Sequence, residues 1–255
     1  MRHIRLTLQY DGTNYSGWQI QKDAKTIQQI MEDAVSSVAG EHSKVMGAAR
    51  TDAGVHAIAQ VASFKTHSEL TPDIFKKALN VNLPYDIKVI EASECSLDFH
   101  PRYDAKGKTY FYVIAKSYSV FLKNFSWHIP YRLDCNLMRQ AAEFLTGEHN
   151  FSCFRASGCS SKHPVRRISE IKIEEMPLID FMTFNLPVPV IKINITANAF
   201  LRHMARNIVG VLIEIGRGKI LPSKMIEILE SKDRRASGPA APARGLFLEK
   251  VIYQP

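Results

Sequence analysis

The order of the predicted secondary-structure elements repeats once along this chain of 255 residues, and this repeat constrains the fold more than any other feature. Alternating polar and apolar residues predict strands, and apolar residues spaced by three and four predict helices. The predicted strands lie near residues 3–11, 43–49, 57–65, 86–94, 104–116, 166–176, 188–197 and 246–253. The predicted helices lie near residues 27–39, from 71 onward, and near 134–147, 200–215 and 222–230.

Each half of the chain therefore has the order β-α-β-β-α-β, and the second half carries one extra helix. This order is typical of the ferredoxin-like arrangement. We predict an α+β fold with two such halves, residues 1–100 and 101–255, joined through mainly antiparallel sheets. A central basic cleft is expected between the halves, because clefts between domains commonly bind ligands.

Residues that favour helix ends accompany several of the predicted helices. Thr26 and Gln29 form a capping-box pattern, and Thr71 precedes a proline, which is common at the first helical position. The candidate N-caps are Thr26, Thr71 and Asp134, and the candidate terminating glycines are Gly40 and Gly147.

The chain is basic, with a net charge of +8 and a pI near 9.3. A positive balance of this size favours a polyanionic partner, although many basic proteins have no such partner. Residues 2–10 alternate as a strand does and lack the apolar core of a signal peptide. Since no apolar run approaches the ~18 residues of a membrane helix, we expect a cytoplasmic protein without a membrane partner.

The chain has four cysteines, and none of them forms a C-x-x-C pair. His149, Cys153, Cys159 and His163 lie near one another in sequence, and a zinc site there is one interpretation. The spacings match no structural-zinc pattern. Reduced, buried or incidental thiols are therefore the favoured interpretation, and no metal is expected.

The segment Arg50-Thr51-Asp52-Ala53-Gly54-Val55-His56 connects two predicted strands. One interpretation is an ordinary polar turn, in which Asp52 bonds nearby amides. The alternative is a catalytic loop, because an arginine close to a carboxylate keeps that carboxylate ionised and therefore nucleophilic. The small residues at positions 53 and 54 would let a bulky substrate approach the backbone.

The predicted helix at 200–215 has one apolar face and one polar face. The polar face contains Arg202, His203, Arg206 and Asn207. Such a face is usually solvated. The functional alternative is that Arg202 and Arg206, one turn apart, face an anionic cleft.

Residues 151–167 mix aromatic and basic side chains, a composition typical of loops that contact nucleic acid. The basic residues of this segment are Arg155, Lys162, Arg166 and Arg167. Arg155, Lys162, Arg166 and Arg202 are therefore candidate RNA-binding residues.

Several segments resemble, in the same order, the motifs of the tRNA pseudouridine synthases of the A type. Besides Arg50–His56, these are Tyr10-Asp11-Gly12, Gly17-Trp18-Gln19, Lys106–Tyr112, Phe151–Gly158, Phe200–Gly210 and Ala241–Leu248. The resemblance runs from residue 10 to residue 252, and separated motifs in one order are more specific than any single motif. Ala49 and Ala205 depart from the family pattern, in which glycine and valine are usual, and neither replaces a charged group.

This resemblance implies an isomerase that converts uridine to pseudouridine at tRNA positions 38, 39 and 40, in the anticodon stem-loop. It implies that Asp52 is the nucleophile, that Arg206 pairs with it, and that Tyr110 stacks on the target base. It further implies that Leu246 packs in the active site and that Arg50 contacts the substrate. The family reaction needs no cofactor or metal, the uridine is flipped out of its stem, and a homodimer is expected.

Two other functions are open at this point. A non-catalytic RNA-binding protein would share the basic and aromatic residues but would not need the set Arg50, Asp52, Tyr110 and Arg206. A metal-dependent hydrolase of nucleic acid would need clustered carboxylates or histidines at ligand spacing, and none stands out. Tyr112 has the same parity on its strand as Tyr110, so the choice of Tyr110 depends on the motif alignment.

Overall fold

The structure, a computed structural model, describes residues 1–181 and 184–254 of the chain. These residues form two compact units. The first unit contains Met1–Lys106 and the chain from Phe247 onward, and the second contains Gly107–Leu246. The last strand therefore joins the first unit, whereas its place in the sequence assigned it to the second half.

Five strands belong to the sheet of the first unit: β1 (Arg2–Tyr10), β2 (Met46–Gly47), β3 (His56–Thr66), β4 (Ile87–Glu94) and β12 (Leu246–Ile252). Their order is β4-β1-β3-β12, and β2 pairs with β3. β1 pairs antiparallel with both β3 and β4, whereas β12 pairs parallel with β3. The strand predicted at 43–49 is reduced to the two residues of β2.

Two helices, α1 (Ile27–Ala39) and α2 (Pro72–Asn82), complete the β-α-β-β-α-β order that we predict for the first half. The Ile74 amide donates to the Thr71 hydroxyl at 3.4 Å, and Gly40 takes the left-handed conformation (φ 71°) that ends α1. The capping box predicted at Thr26 is wrong, because the buried Thr26 hydroxyl makes no bond to the first turn of α1.

The main strands of the second unit are β5 (Gly107–Ala115), β6 (Trp127–His128), β7 (Gly147–Asn150), β8 (Val165–Met176) and β11 (Val190–Ala197). They pair in the order β5-β11-β8-β7, with β6 beside β5, while β9 (Ile179–Phe181) and β10 (Phe184–Leu186) pair with each other. β11 is antiparallel to β5 and β8. The sequence pattern misses β6, β7, β9 and β10, because runs this short show no period.

The helices of the second unit are α3 (Cys135–Glu143), α4 (Met204–Gly216) and α5 (Lys224–Ser231). Asp134 caps α3 as predicted, since its carboxylate accepts from the amides of Asn136 and Leu137 at 2.8 and 3.2 Å. Gly147 does not end this helix, which stops earlier, and instead begins β7.

The predicted start of α4 at Phe200 is wrong. His203 has φ 62°, a left-handed conformation that interrupts a right-handed helix, and α4 begins one residue later. Arg202 therefore precedes the helix, and the prediction that Arg202 and Arg206 share one helical face is wrong. Asn207, which we predict on the polar face, is fully buried.

The predicted α+β class with mainly antiparallel pairing is confirmed. The long ladders β1–β3, β1–β4, β11–β5 and β11–β8 are antiparallel, and parallel pairing occurs between β3 and β12 and between β5 and β6. Over residues 1–181 and 184–254, no helix has the length and apolarity needed to cross a membrane. The central basic cleft stays a prediction.

Candidate active site

Asp52 lies in the connection between β2 and β3 of the first unit. The amide of Val55 donates to the carbonyl of Asp52 at 3.1 Å, which closes a turn over these residues. Asp52 is partly exposed, Arg50 is exposed, and Thr51 between them is buried. The loop therefore anchors its middle residue and leaves the charged neighbours accessible.

A buried polar cluster holds this loop in place. The hydroxyls of Tyr10 and Thr51 are 2.8 Å apart, and the Trp18 amide donates to the Thr51 carbonyl at 3.0 Å. The Gln60 side chain accepts from the Ala49 amide at 3.0 Å and donates to the Ala49 carbonyl at 2.7 Å. Burial raises the pKa of Tyr10, so its hydroxyl stays neutral at physiological pH. The sequence pattern alone does not reveal this cluster.

Two glycines let the segment after β1 approach the loop closely. A side chain at Gly17, where φ is 93°, would come within 2.6 Å of the Thr51 carbonyl oxygen. A side chain at Gly12 would come within 2.0 Å of the Val55 carbonyl oxygen. Carbon–oxygen contacts this short do not occur in packed proteins, so any larger residue must displace the loop. The motifs that contain these glycines thus support Asp52 through the backbone.

Tyr110 and Tyr112 share one face of β5 in the second unit, but their surroundings differ. Tyr112 is fully buried, and its hydroxyl donates to the Pro242 carbonyl at 2.8 Å. Burial raises the pKa of Tyr112, and the positive charge of Arg206 opposes this shift. Tyr110 is 7% exposed, and its ring lies edge-on to Phe200 with centroids 4.8 Å apart. Tyr112 is therefore a packing residue, while the catalytic role of Tyr110 stays a prediction.

Arg206, on the first turn of α4, is tied to the segment 238–246. Its Nε donates to the Ala241 carbonyl at 2.8 Å, and the Ala241 amide donates back to the Arg206 carbonyl at 3.0 Å. Gly210 permits this approach, because a side chain there would come within 2.2 Å of the Pro239 carbonyl oxygen. Leu246 ends the segment and is buried. These contacts hold Arg206 in a fixed position within the second unit.

The predicted RNA-binding residues gather around the loop at 155–167. Arg155 Nη1 donates to the Ser161 carbonyl at 3.4 Å, and Arg166 Nη2 donates to the Ser161 hydroxyl at 2.7 Å. Arg202 Nη1 donates to another carbonyl of this loop at 3.1 Å. Lys162 is exposed. Arg155 and Arg166 thus help to shape the loop, whereas Lys162 offers an exposed charge.

A second polar network, which sequence patterns miss, connects this region to α4. The Asn207 amide donates to the Phe154 carbonyl at 2.7 Å, and the Asn207 side-chain oxygen accepts from Arg234 at 3.0 Å. The Ser237 hydroxyl donates to the Cys153 carbonyl at 2.7 Å. A buried amide needs such partners. The sequence does not reveal this network, because Asn207 falls on the predicted polar face of its helix.

The cysteines are free thiols, of which Cys135 and Cys153 are buried. Burial raises the pKa of Cys135 to about 11 and that of Cys153 to about 12, so both thiols are protonated at neutral pH. In the part of the chain that the structure describes, no group of three or more His, Cys, Asp or Glu residues is arranged to hold a metal ion.

The predicted site residues are divided between the units. Arg50 and Asp52 lie in the first unit, and the second holds Tyr110, Leu246, Arg206, Arg155, Lys162, Arg166 and Arg202. Within each unit, backbone and buried side-chain contacts fix the elements that carry these residues. An anchored carboxylate loop and a loop rich in basic residues, on an α+β fold, suit an enzyme that acts on nucleic acid.

Comparison with known proteins identifies the family. The family model described as tRNA pseudouridine synthase matches residues 7–104 and 141–254. The chain is 44% identical over 255 residues to a tRNA pseudouridine synthase A of Acetivibrio thermocellus, with 99% of this chain and 100% of the relative covered. A tRNA pseudouridine synthase A of Clostridium acetobutylicum is 40% identical over 257 residues, with the same coverage.

These matches show an isomerase that modifies RNA. The chain belongs to the tRNA pseudouridine synthase family, whose members convert uridine to pseudouridine in tRNA, and the resemblance noted in the sequence is confirmed. Among solved structures, a chain of a Cbf5-Nop10-Gar1 complex aligns with a TM-score of 0.31 and 11% identity, covering 82% of this chain and 54% of that one. A score this low supports no conclusion about function.

Proposed function

We propose that this chain converts uridine to pseudouridine at tRNA positions 38, 39 and 40, in the anticodon stem-loop, with Asp52 as the nucleophile. The anchoring of the Asp52 loop supports this assignment most: Tyr10, Thr51 and Gln60 form a buried cluster beneath a partly exposed carboxylate. A nucleophile must be held in place, since a misplacement of about 1 Å can cost about 10²-fold in rate.

The proposed reaction replaces one glycosidic bond by another within the same nucleotide. The C1′–N1 bond breaks and a C1′–C5 bond forms, while C5 loses a proton and N1 gains one. Atoms and electrons balance within the substrate, so the reaction consumes no oxidant and uses no cofactor or metal. The Asp52 carboxylate either attacks the nucleotide covalently or assists an elimination.

The other site residues take supporting roles in this proposal. The target uridine leaves its stem, because an enzyme cannot reach the reacting atoms of a paired base. Tyr110 stacks on the flipped uracil and Leu246 packs beside it. Arg206 pairs with Asp52 and keeps it ionised, and the planar guanidinium of Arg50 fills the vacated place in the stack.

We further propose that the protein acts in the cytoplasm as a homodimer. The support is the resemblance to the family. Sedimentation of the purified protein at micromolar concentration measures the oligomeric state directly, and a single species at the 28.8 kDa of one chain would contradict the dimer.

Mapping of pseudouridine in tRNA tests the proposed function. Cells that lack this protein should lose pseudouridine at positions 38–40 and regain it when the intact gene is supplied. Purified protein should release tritium from tRNA labelled at C5 of uridine, with or without EDTA. Binding of tRNA without any release would favour the non-catalytic RNA-binding protein. Tritium release that persists in EDTA would exclude the metal-dependent hydrolase, whereas metal-dependent cleavage of the tRNA without tritium release would favour it.

Replacing Arg206 by leucine should disable catalysis through Asp52. The variant loses a positive charge that favours the ionised form of a nearby carboxyl, so the lost activity should partly return as the pH rises. The measurement is the pH profile of tritium release under single-turnover conditions.

The Arg206→Lys variant is the matched control, because it keeps the charge but loses the planar guanidinium that bonds Ala241. It should keep the wild-type pH profile at a reduced rate. A flat profile in Arg206→Leu would contradict the pairing with Asp52.

Binding of tRNA should weaken steeply with salt, because phosphate contacts release counterions. Each contact contributes about −0.9 to the log–log salt slope on duplex DNA, and less on single strands. Lys162→Ala should therefore reduce the slope by about one unit or less and weaken all tRNA substrates alike. Lys172→Ala, which removes a lysine already paired with Glu174 at 2.8 Å, is the control and should leave the slope unchanged. An affinity independent of salt would contradict the phosphate contacts.

A further inference from the structure

His56 is buried at the end of the Asp52 loop and has no role in the chemistry proposed above. Its side chain is 2% exposed, and its ring stacks on Phe247 with centroids 4.6 Å apart and planes inclined by 27°. Since this ring is shielded from water, its nitrogens must find partners inside the protein.

Two groups compete for Nδ1 of His56. The Gly12 amide nitrogen lies 3.0 Å from it, and the Oδ1 atom of Asp11 lies 3.1 Å from it. A backbone amide only donates and a carboxylate only accepts. Unprotonated Nδ1 therefore accepts from Gly12, protonated Nδ1 donates to Asp11, and the same nitrogen cannot do both.

The contact with Gly12 leads directly to the catalytic loop. Gly12 lies so close to Val55 that a side chain on it would reach within 2.0 Å of the Val55 carbonyl oxygen. Val55 in turn closes the loop by donating to the Asp52 carbonyl at 3.1 Å. The amide that bonds Nδ1 thus belongs to a residue that packs directly against the turn beneath Asp52.

We infer that His56 is a positioning residue for Asp52, and that its neutral ring, with Nδ1 accepting from Gly12, holds the loop for catalysis. This inference rests on the proposed role of Asp52. Protonation of Nδ1 transfers its hydrogen bond to Asp11 and removes this acceptor from the Gly12 amide. The catalytic step should therefore slow at low pH, where Nδ1 becomes protonated, whereas tRNA affinity should respond to other groups.

The groups around the ring fit this assignment. The Asp11 carboxylate also accepts from the Thr13 amide at 2.9 Å and from the Thr13 hydroxyl at 2.6 Å, so it is already oriented when the ring is neutral. From the connection between α2 and β4, the Asp86 carbonyl accepts from the Asp11 amide at 3.0 Å, and the Asp86 carboxylate accepts from the Tyr15 hydroxyl. β12 contributes the uncharged Phe247 ring. Asp11 is thus positioned to accept a hydrogen bond from Nδ1 once that nitrogen is protonated.

Three variants test the hydrogen-bond acceptor at position 56, the ability of that position to take up a proton, and the effect of the Asp11 carboxylate. His56→Asn places an amide oxygen near the position of Nδ1 and cannot titrate, so it should keep kcat within about threefold at pH 8 and lose the acid limb of the profile. His56→Leu removes the acceptor and should lower kcat about 10- to 100-fold with tRNA Kd nearly unchanged. Asp11→Asn removes the carboxylate that favours the charged ring, so the acid limb should move to lower pH.

A second measurement does not depend on activity or on the folding of the His56 variants. Histidine-selective ¹⁵N spectra of the wild type and of Asp11→Asn report whether Nδ1 carries a proton. Unprotonated Nδ1 is expected at pH 8, and a protonated Nδ1 there would overturn the inference. An acid limb that persists unchanged in folded His56→Asn would overturn it as well. If the wild type releases no tritium from any tRNA, the proposed function fails, and the nitrogen spectra still decide the assignment of the hydrogen bond.

Discussion

Replacing Asp52 by asparagine should abolish isomerisation, with turnover lowered about 10⁴-fold or more, because losing an essential nucleophile typically costs many powers of ten. The amide has nearly the size of the carboxylate. The bond that closes the turn joins backbone atoms of Asp52 and Val55, and the Tyr10–Thr51 contact does not involve the Asp52 side chain, so the loop should keep its shape. Affinity for tRNA should stay within about threefold, since phosphate contacts dominate binding.

Single-turnover release of tritium from C5-labelled tRNA measures the chemical step, and filter binding measures the affinity. Asp73→Asn is the matched control, because Asp73 is an exposed carboxylate of the same unit, in the first turn of α2. It should match the wild type in both assays. Turnover of Asp52→Asn above about a hundredth of the wild-type rate would contradict its assignment as the nucleophile.

Replacing Tyr110 by phenylalanine should leave tRNA binding intact and lower turnover by about 10²- to 10⁴-fold, the usual contribution of a positioned acid or base. Phenylalanine keeps the ring that lies edge-on to Phe200 and that we expect to stack on the base. It removes the phenol oxygen, which we expect to take the C5 proton as the phenolate, the form that a positive charge from Arg50 or Arg206 would favour. Steps before proton loss should survive, so stalled enzyme–RNA species should accumulate and be visible in denaturing gels or by mass spectrometry.

Tyr112→Phe is the matched control for this experiment. It loses the hydrogen bond from the Tyr112 hydroxyl to the Pro242 carbonyl but keeps the ring against which Gly245 packs. The variant should therefore be less stable by about 1 kcal/mol, and its turnover should stay close to that of the wild type. Near-normal turnover of Tyr110→Phe would confine Tyr110 to stacking and assign the proton to another group. Equal losses in both variants would indicate that the two tyrosines act through packing alone.

Local signals made much of the fold predictable. The bounds of α1 follow from its apolar face, which must be buried whatever it packs against. Thr71 and Asp134 cap α2 and α3 through hydrogen bonds to residues close in sequence. The errors occur where one backbone angle or one side-chain contact decides the structure. The left-handed His203 shortens α4, and no periodic pattern reports a single backbone angle of that kind.

In the candidate site, too, some features follow from the local sequence and others do not. Motifs identify Asp52 as the residue of interest, but they do not show that Tyr10 of β1 and Gln60 of β3 meet beneath its loop. That meeting depends on the register of two antiparallel strands, in which a shift between Leu8 and Tyr10 adds an irregularity. Period-2 patterning predicts which face of a strand is buried, not which residues lie opposite one another.

The position of β12 gives the synthesis of this chain a particular order of events. β3 is made early and β12 is the last of the described strands to leave the ribosome, yet the two lie side by side, with Phe247 opposite His56. The nascent chain can pair β1, β3 and β4 while the second unit is still being translated. The contact between His56 and Phe247, next to the Asp52 loop, cannot form until Phe247 has been translated. This contact joins residues separated by most of the polypeptide. A ribosome-bound or truncated chain would therefore carry every residue of the Asp52 loop and still lack the ring on which His56 stacks.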